Sequence, residues 1–517
     1  MNHLVIAPLL LPLLVGTLLL LSRRTLSLAA RRSLNLAAIL GQILLAIELL
    51  ILVGDGTILT YHLGHWPAPW GIVLVADRLA VWMLLVTSLL AFFALLHAMQ
   101  GTDRCSRHFH PLFQLQLFGL NGAFLTGDLF NLFVFFEILL LASYGLLVHG
   151  GGAARVRAGL HFVVINLVGS TLFLFAAGAL YGLVGTLNLA DLSLKIARLP
   201  PEDLGPAQVA ALLLLAVFAL KAALVPLHLW LPSAYASTSA PVAALFAIMT
   251  KVGAYALLRV ETLVFGEQAG ILTGFYAAWL LPLGLLTLVL GALGALAANE
   301  LRRQVAYLVV VSVGLLLAAF GLGTADGIAA GLYYLVHTTL ATAAFFLLAD
   351  LITRERGWAA DRLVPGPALP NAGRLGGLFF VTALLVAGLP PLSGFIGKFL
   401  VLRAALEEPV WPWMLGVVLF SGLLGIIALA RSGSLLFFHV RSAGSGAPTQ
   451  ARPTQGLLGA ALPTLGLLAL CLALLIGSGP VLDLAQATAE QLLDPADYIQ
   501  AVLKPIGIQV APGEVWP

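Results

Sequence analysis

Charge is what this sequence has least of. Only 9% of its 517 residues are Asp, Glu, Lys or Arg, against 61% hydrophobic, where a soluble globular chain carries about 25% charged residues. The formal net charge of +3 makes no basic face for nucleic acid, because the arginines sit between apolar runs. Cysteine is scarce too. Cys105 and Cys471 are the only two, far apart and without metal-ligand spacing, so no disulfide framework, metal site or cofactor is expected. Lysine is rarer than arginine, with five against 21. Three of those five, Lys221, Lys251 and Lys398, fall inside apolar runs.

Apolar runs of about 20 residues, the length that crosses a bilayer as a helix, recur from one end to the other. The expectation is an all-α polytopic membrane protein embedded in lipid. The first run, Leu4 to Leu21, has no charged region before it and no small-residue cleavage site after it. It reads as a first span and not as a removed signal peptide. Runs bounded by charge, Gly or Pro give about 14 transmembrane helices. Their limits are 4–21, 34–53, 77–99, 111–127, 128–149, 159–183, 207–226, 241–262, 270–297, 304–322, 327–352, 375–404, 411–440 and 456–477.

Positive charge alternates along this series. Arg23, Arg24, Arg31 and Arg32 fill the first loop, and every second loop repeats the bias: Arg104 and Arg107, Arg155 and Arg157, Arg302 and Arg303. Arg354, Arg356, Arg362 and Arg374 follow, then Arg431, Arg441 and Arg452. The alternate loops are nearly free of it, apart from Lys195 and Arg198. Loops rich in Lys and Arg stay in the cytoplasm, which puts both termini outside and requires an even number of spans.

Two spans are interrupted by proline. The segment "LHLWLPSAYASTSAP" after the seventh has no formal charge yet is too polar for lipid, and Pro226, Pro232 and Pro241 punctuate it. Such backbone survives at membrane depth only where protein or water satisfies it, so the seventh helix is expected to break near Pro226 and continue as a shorter piece. In the twelfth, "LFFVTALLVAGLPPLSGFIGKFLVLRAAL" is broken by Gly388, Pro390, Pro391, Ser393 and Gly394. Each break has a lysine near it, and the two lie five spans apart. An odd offset reverses direction, the signature of inverted repeats. The organisation expected is three N-terminal helices (1–110), a first five-helix repeat (111–262, broken near 226–240), a second (270–440, broken near 388–394), a last helix (456–477) and a tail (478–517).

A lone lysine in hydrocarbon costs roughly 2.5–3.5 kcal/mol on the translocon scale. Arginine stays charged at any accessible pH, whereas burial lets a lysine lose its proton near neutrality. A group that binds and releases protons inside a bilayer is therefore Lys, Glu or His. Glu137 is the matching acid, nine residues past Asp128 and about 13.5 Å along a helix, near mid-membrane. Paired with a neighbouring lysine, it would hold that amine protonated until the two separate. His337 lies near the centre of its span and suits proton relay at neutral pH. His228 follows the first break, and His161 opens the sixth span. Glu48 is a further mid-span acid, read as a subunit-contact or structural residue. Ser, Thr and Asn in "HFVVINLVGSTLFLF" are expected to bond across helices or hold water. The plain alternative is a static ion-pair network, but buried pairs are poor stabilisers.

"GDLFNLFVFFEILLLASYGLL", "KAALVPLHLWLPSAYASTSAPVAALFAIMTKVGAYALLRV", "YYLVHTTLATAAFFLLADLI" and "LPPLSGFIGKF" together carry a resemblance. Over roughly residues 60–440 the chain resembles the D-type subunits of the multisubunit Mrp-type (Pha/Mnh) monovalent cation/proton antiporters, a family homologous to the antiporter-like membrane subunits of respiratory complex I. The resemblance implies 14 helices with two inverted five-helix repeats and a hydrophilic axis at mid-membrane. It assigns proton transfer to Glu137, Lys221, Lys251, His337 and Lys398. Some complex I relatives carry glutamate where this chain has Lys398, and many carry lysine where it has His161. "VPLHLWLP", with His228, is shared by both branches. The function implied is proton translocation coupled to extrusion of Na⁺ or K⁺, within a hetero-oligomeric membrane complex and without catalysis by this chain. The alternative is a proton-pumping membrane-arm subunit of a complex I-like oxidoreductase or membrane hydrogenase.

Overall fold

A computed structural model describes residues 3–22, 24–440 and 456–504. The loop residues Arg23, Arg441 and Arg452 and the tail end 505–517 lie outside the described residues. The first helices are α1 (Ala7–Leu21), α2 (Leu28–Val53), α3 (Arg78–Ala98), α4 (Phe109–Leu125), α5 (Leu129–Leu147), α6 (Ala153–Val184) and α7 (Leu189–Ile196). Next come α8 (Leu204–Ala222), α9 (Trp230–Ser237), α10 (Ala240–Phe246), α11 (Met249–Val264), α12 (Ala277–Ala297), α13 (Leu301–Phe320) and α14 (Ala325–Glu355). The series ends with α15 (Ala372–Ala387), α16 (Ser393–Ala405), α17 (Trp411–Gly433), α18 (Leu457–Ile476), α19 (Ser478–Leu493) and α20 (Ala496–Leu503).

Among the described residues, 11 helical segments are long and apolar enough to cross a membrane. Helices α1 and α4 and the broken α15–α16 pair occupy the places of the remaining three expected crossings. Polar residues at the helix starts have a local cause. The side chains of Ser27, Asp77, Asp128, Asn188 and Thr324 each accept a backbone N–H from the first turn that follows, satisfying donors that lipid cannot.

Burial is unequal. The segment from α10 to α11 is wholly enclosed, α13 and α14 nearly so, while α2, α6, α17 and α18 show broad apolar faces to the outside. The bundle is thus wrapped around the helices that carry Lys251 and His337.

Two stretches of chain share the same local construction. Asp128 bridges Asn188: the Leu129 N–H donates to the Leu187 carbonyl at 2.8 Å and the Leu189 N–H to the Gly127 carbonyl at 2.9 Å. Glu300 bridges Arg362 likewise, with Leu301 to Asp361 and Leu363 to Asn299 both at 2.8 Å. Further on, α8 and α15 each end in a left-handed residue, Ala223 (φ 61°) and Gly388 (φ 72°). In both, the next N–H reaches back five residues, Leu224 to Ala219 and Leu389 to Leu384. A short stretch of other structure follows, and then α9 or α16. Both expected proline breaks are present.

Three features differ from the sequence reading. Between α2 and α3 a hairpin pairs β1 (Leu59–His62) with β2 (Val73–Ala76), Leu59 opposite Ala76. The eighth span is itself interrupted at Ala247 and Ile248, where i to i−3 bonds join α10 to α11 three residues before Lys251. The tail, given no structure in the sequence reading, is packed as far as residue 504. Helix α19 packs on α14 and α11, and α20 on α7 and β1. Tyr498 of α20 covers Arg259 of α11, 5.2 Å from its ring, while the guanidinium pairs with Asp77 at 2.6 and 2.8 Å. That bidentate ion pair is closed on all sides by protein.

At the arginine-rich end, Arg32 grips Asp103 at 2.6 and 2.7 Å, and His110 Nε2 lies 3.3 Å from the same carboxylate. Burial alone would raise the Asp103 pKa, but His110 and Arg32 overcome it and hold the carboxyl at about 2. Within α1, Pro12 has no N–H to give the Pro8 carbonyl. Gln42 of α2 and Asn121 of α4 supply it instead, at 3.0 and 2.8 Å.

Candidate functional site

Glu137 lies midway along α5 and accepts a hydrogen bond from the Ser170 hydroxyl of α6. One turn earlier on α6, Asn166 Oδ1 accepts from Lys221 Nζ at 3.2 Å. The lysine also stands 5.8 Å from the centre of the Phe136 ring. Glu137 and Lys221 form no ion pair within 4.0 Å. Helix α6 links them instead, through two residues four apart on one face. The sequence reading placed polar residues of α6 between helices, and this is the use they have.

Lys251, fully buried on α11, donates to the Ser312 hydroxyl of α13 at 3.2 Å, and Ser312 donates onward to the Val309 carbonyl at 2.7 Å. His337 of α14 meets Ser393, the first residue of α16, through Nδ1 at 3.0 Å. Lys398 Nζ donates to the Ala387 carbonyl at 2.7 Å. Ala387 closes α15, so the ammonium satisfies a carbonyl that the break set free. Gly394 gives His337 its place: a β-carbon there would lie 2.8 Å from Nε2.

The first break is satisfied in a parallel way. The Trp230 indole donates to the Leu220 carbonyl at 3.1 Å, and the Val225 N–H donates to Thr287 Oγ1 at 3.0 Å. His228 lies buried in this link, its Nδ1 without a hydrogen-bond partner among the described residues. His161 is elsewhere. It is exposed on the outer side of α6, while Phe162, Asn166, Gly169 and Ser170 turn inward. Glu48 likewise faces outward from α2. The structure therefore buries four of the seven sequence-derived residues, Lys221, His228, Lys251 and His337, with Glu137 and Lys398 half-buried.

Two bonding roles were missed in the sequence, that of Ser312, which was not singled out, and that of Ser393, which was read only as part of the break. Each serine is a single hydroxyl within an apolar stretch, "VVVSVGLLL" and "LPPLSGFIG", and that isolation was the available signal. Among the described residues no group of three His, Cys, Asp or Glu could hold a metal ion.

Residues 126–425, from the start of α5 into α17 and including Glu137, Lys221, Lys251, His337 and Lys398, match the family described as NADH:quinone oxidoreductase/Mrp antiporter, transmembrane. The chain belongs to that family. It is 41% identical to a protein of Rhizobium meliloti named as the D-type component of a probable K(+)/H(+) antiporter, covering 97% of this chain and 98% of that one. It is 38% identical to the D-type component of the Na(+)/H(+) antiporter of Alkalihalophilus pseudofirmus, covering 98% and 100%. Among solved structures, a chain of the Mrp complex from Dietzia sp. superposes with a TM-score of 0.87 at 28% identity, over 98% of this chain and all of that one. A chain of respiratory complex I from Thermus thermophilus does so with a TM-score of 0.73 at 28% identity, covering 95% and 99%. The Mrp antiporter family match begins after α4 and ends before α18. Helices α1 to α4 and the packed tail therefore lie outside the family segment, while the two antiporter relatives span nearly the whole chain.

Proposed function

We propose that this chain is the proton-translocating subunit of a multisubunit monovalent cation/proton antiporter. It sits in a bacterial inner membrane with both termini outside, assembled with other subunits, and performs no catalysis. Protons pass along Glu137, Lys221, Lys251, His337 and Lys398, and their inward flow drives Na⁺ or K⁺ outward. One observation carries this reading. Ionisable groups on five helices are each held by a hydroxyl, amide or freed carbonyl of a neighbouring helix, inside a predominantly apolar bundle. Intramembrane ionisable residues held this way are expensive and mark ion or proton pathways.

The matching bridges at Asp128 and Glu300 and the matching helix ends at Ala223 and Gly388 support two inverted five-helix repeats, 111–262 and 270–440, around this row. His228 stands at the first break as a candidate connection between the row and water. His161, on the outer face of α6, is proposed to act only where another chain of the complex covers it. Exchange of Na⁺ and K⁺ against protons by the assembled complex in everted vesicles tests the reading. Glu137→Ala should abolish exchange, and wild-type exchange by that variant would overturn it.

The likeness to the complex I chain favours a second reading, a membrane-arm subunit that pumps protons on redox energy. Neighbouring genes separate the two: small membrane subunits accompany an antiporter, whereas Cys-rich cluster proteins accompany an oxidoreductase.

A further inference from the structure

A small cavity lies beside Lys398, bounded by Ala387, Tyr334 and, on α17, by Ser421, Gly422 and Gly425. The space open to the centre of a water-sized sphere is about 20 Å³, and one water needs roughly 10–15 Å³ by that measure. Glycine makes the room: a β-carbon at 422 or 425 would meet no atom within 4 Å.

Ser421, like Thr87, Thr250 and Thr464, departs from the common bonding of helical hydroxyls. It is 2% exposed, yet its hydroxyl has no hydrogen-bond partner among the described residues. A helical serine or threonine in this bundle ordinarily donates to the carbonyl four residues back, as Thr382 does to Leu378 and Ser432 to Ala428. An unpaired buried hydroxyl is costly, and this one borders a cavity that it shares with a lysine. The Lys398 ammonium, with three hydrogens to give, has the Ala387 carbonyl as its acceptor.

We infer that Ser421 is a positioning residue that holds a single water between its hydroxyl and Lys398, extending the proton row from α16 towards α17. This rests on the reading of Lys398 as a proton carrier. The water gives one hydrogen to Ser421 Oγ, which turns its lone pair towards the lysine N–H and makes it the acceptor for the lysine proton. Leu288, Leu308, Val311 and Leu315 line much of the rest of the cavity, and Tyr334 is the other polar side chain on it. Beyond Ser421, the other side of α17 is bare, with Leu419, Phe420 and Leu423 exposed. The row therefore turns towards an outer face of the bundle.

The test compares Ser421→Ala, Ser421→Thr, Ser421→Leu and Lys398→Ala in the assembled complex, by proton-coupled cation exchange in everted vesicles across a pH series. Ser421→Ala should slow exchange about tenfold, the size of one lost hydrogen bond, and move its pH profile. Ser421→Leu, which fills the cavity, should slow it further, and Ser421→Thr should stay near wild type. Wild-type rates for both Ala and Leu, or slowing by Ala without any change in the pH profile, overturns the inference. If Lys398→Ala abolishes exchange in that case, the proposed function stands without it. Wild-type exchange by Lys398→Ala overturns both. Should Ser421→Leu fail to assemble, the Ala and Thr variants decide the matter.

Discussion

Gly253 of α11 packs against the backbone of Lys221 on α8, so closely that a β-carbon at 253 would lie 2.7 Å from the Lys221 carbonyl carbon. The two lysine-bearing helices touch through a residue with no side chain. Gly253→Ala must push α8 from α11, a strain of about 1–3 kcal/mol, without removing any ionisable group. Proton-coupled exchange is expected to fall about tenfold while the chain still assembles. Unchanged exchange would show that the spacing of the two lysines is not critical.

Lys251 is fully buried on α11 and bonded to Ser312. Lys251→Ala should abolish proton-coupled exchange, and Lys251→Arg should do little better because a guanidinium keeps its proton. Ser312→Ala should cost about tenfold, in proportion to one hydrogen bond to a charged group. These are vesicle measurements at matched complex levels. Normal exchange by Lys251→Arg would argue that this position carries charge and not protons.

Asp77 and Arg259 pair within a closed space beneath Tyr498. Asp77→Asn leaves a buried guanidinium without its counter-ion, which costs on the order of 3–5 kcal/mol. The melting temperature in detergent should drop sharply. The double variant Asp77→Asn with Arg259→Met should recover part of the loss, since no charge then remains unpaired. A double variant less stable than the single one would contradict this account.

Asp103 carries the pH-dependent part of stability at the arginine-rich end. Its carboxyl titrates near 3.8 when free and at about 2 in the folded chain. The contribution is complete above pH 4 and is lost as pH falls from about 4 to about 2. Its size is on the order of 2 kcal/mol. Thermal unfolding of wild type should therefore weaken over that window more than that of Asp103→Asn, which should already be less stable at pH 7. Parallel curves for the two proteins would remove the carboxylate from the explanation.

Hydropathy and the placement of arginine made the helices legible, because length and charge are properties of each segment alone. The two breaks were legible for the same reason: Pro226 and Pro390–Pro391 announce themselves wherever they stand. Glu137 and the three lysines could be named because lipid makes them costly. What each side chain bonds could not be read. Ser312 and Ser393 become contributors only when α13 meets α11 and α16 meets α14. His161 and Asn166 are near neighbours in sequence, yet one faces out and the other in, a distinction fixed by the packing of α6. The packing of the tail was left open because α19 and α20 are too polar to look like spans, and their docking depends on α14, α11 and α7 being in place.

The twofold donation to the Pro8 carbonyl bears on how the chain is made. Helix α1 is synthesised before α2 and α4, yet the oxygen exposed by Pro12 finds its donors only on those two. It thus stays chemically unfinished until more than a hundred later residues have followed it. Its final seat is set by the arrival of Asn121.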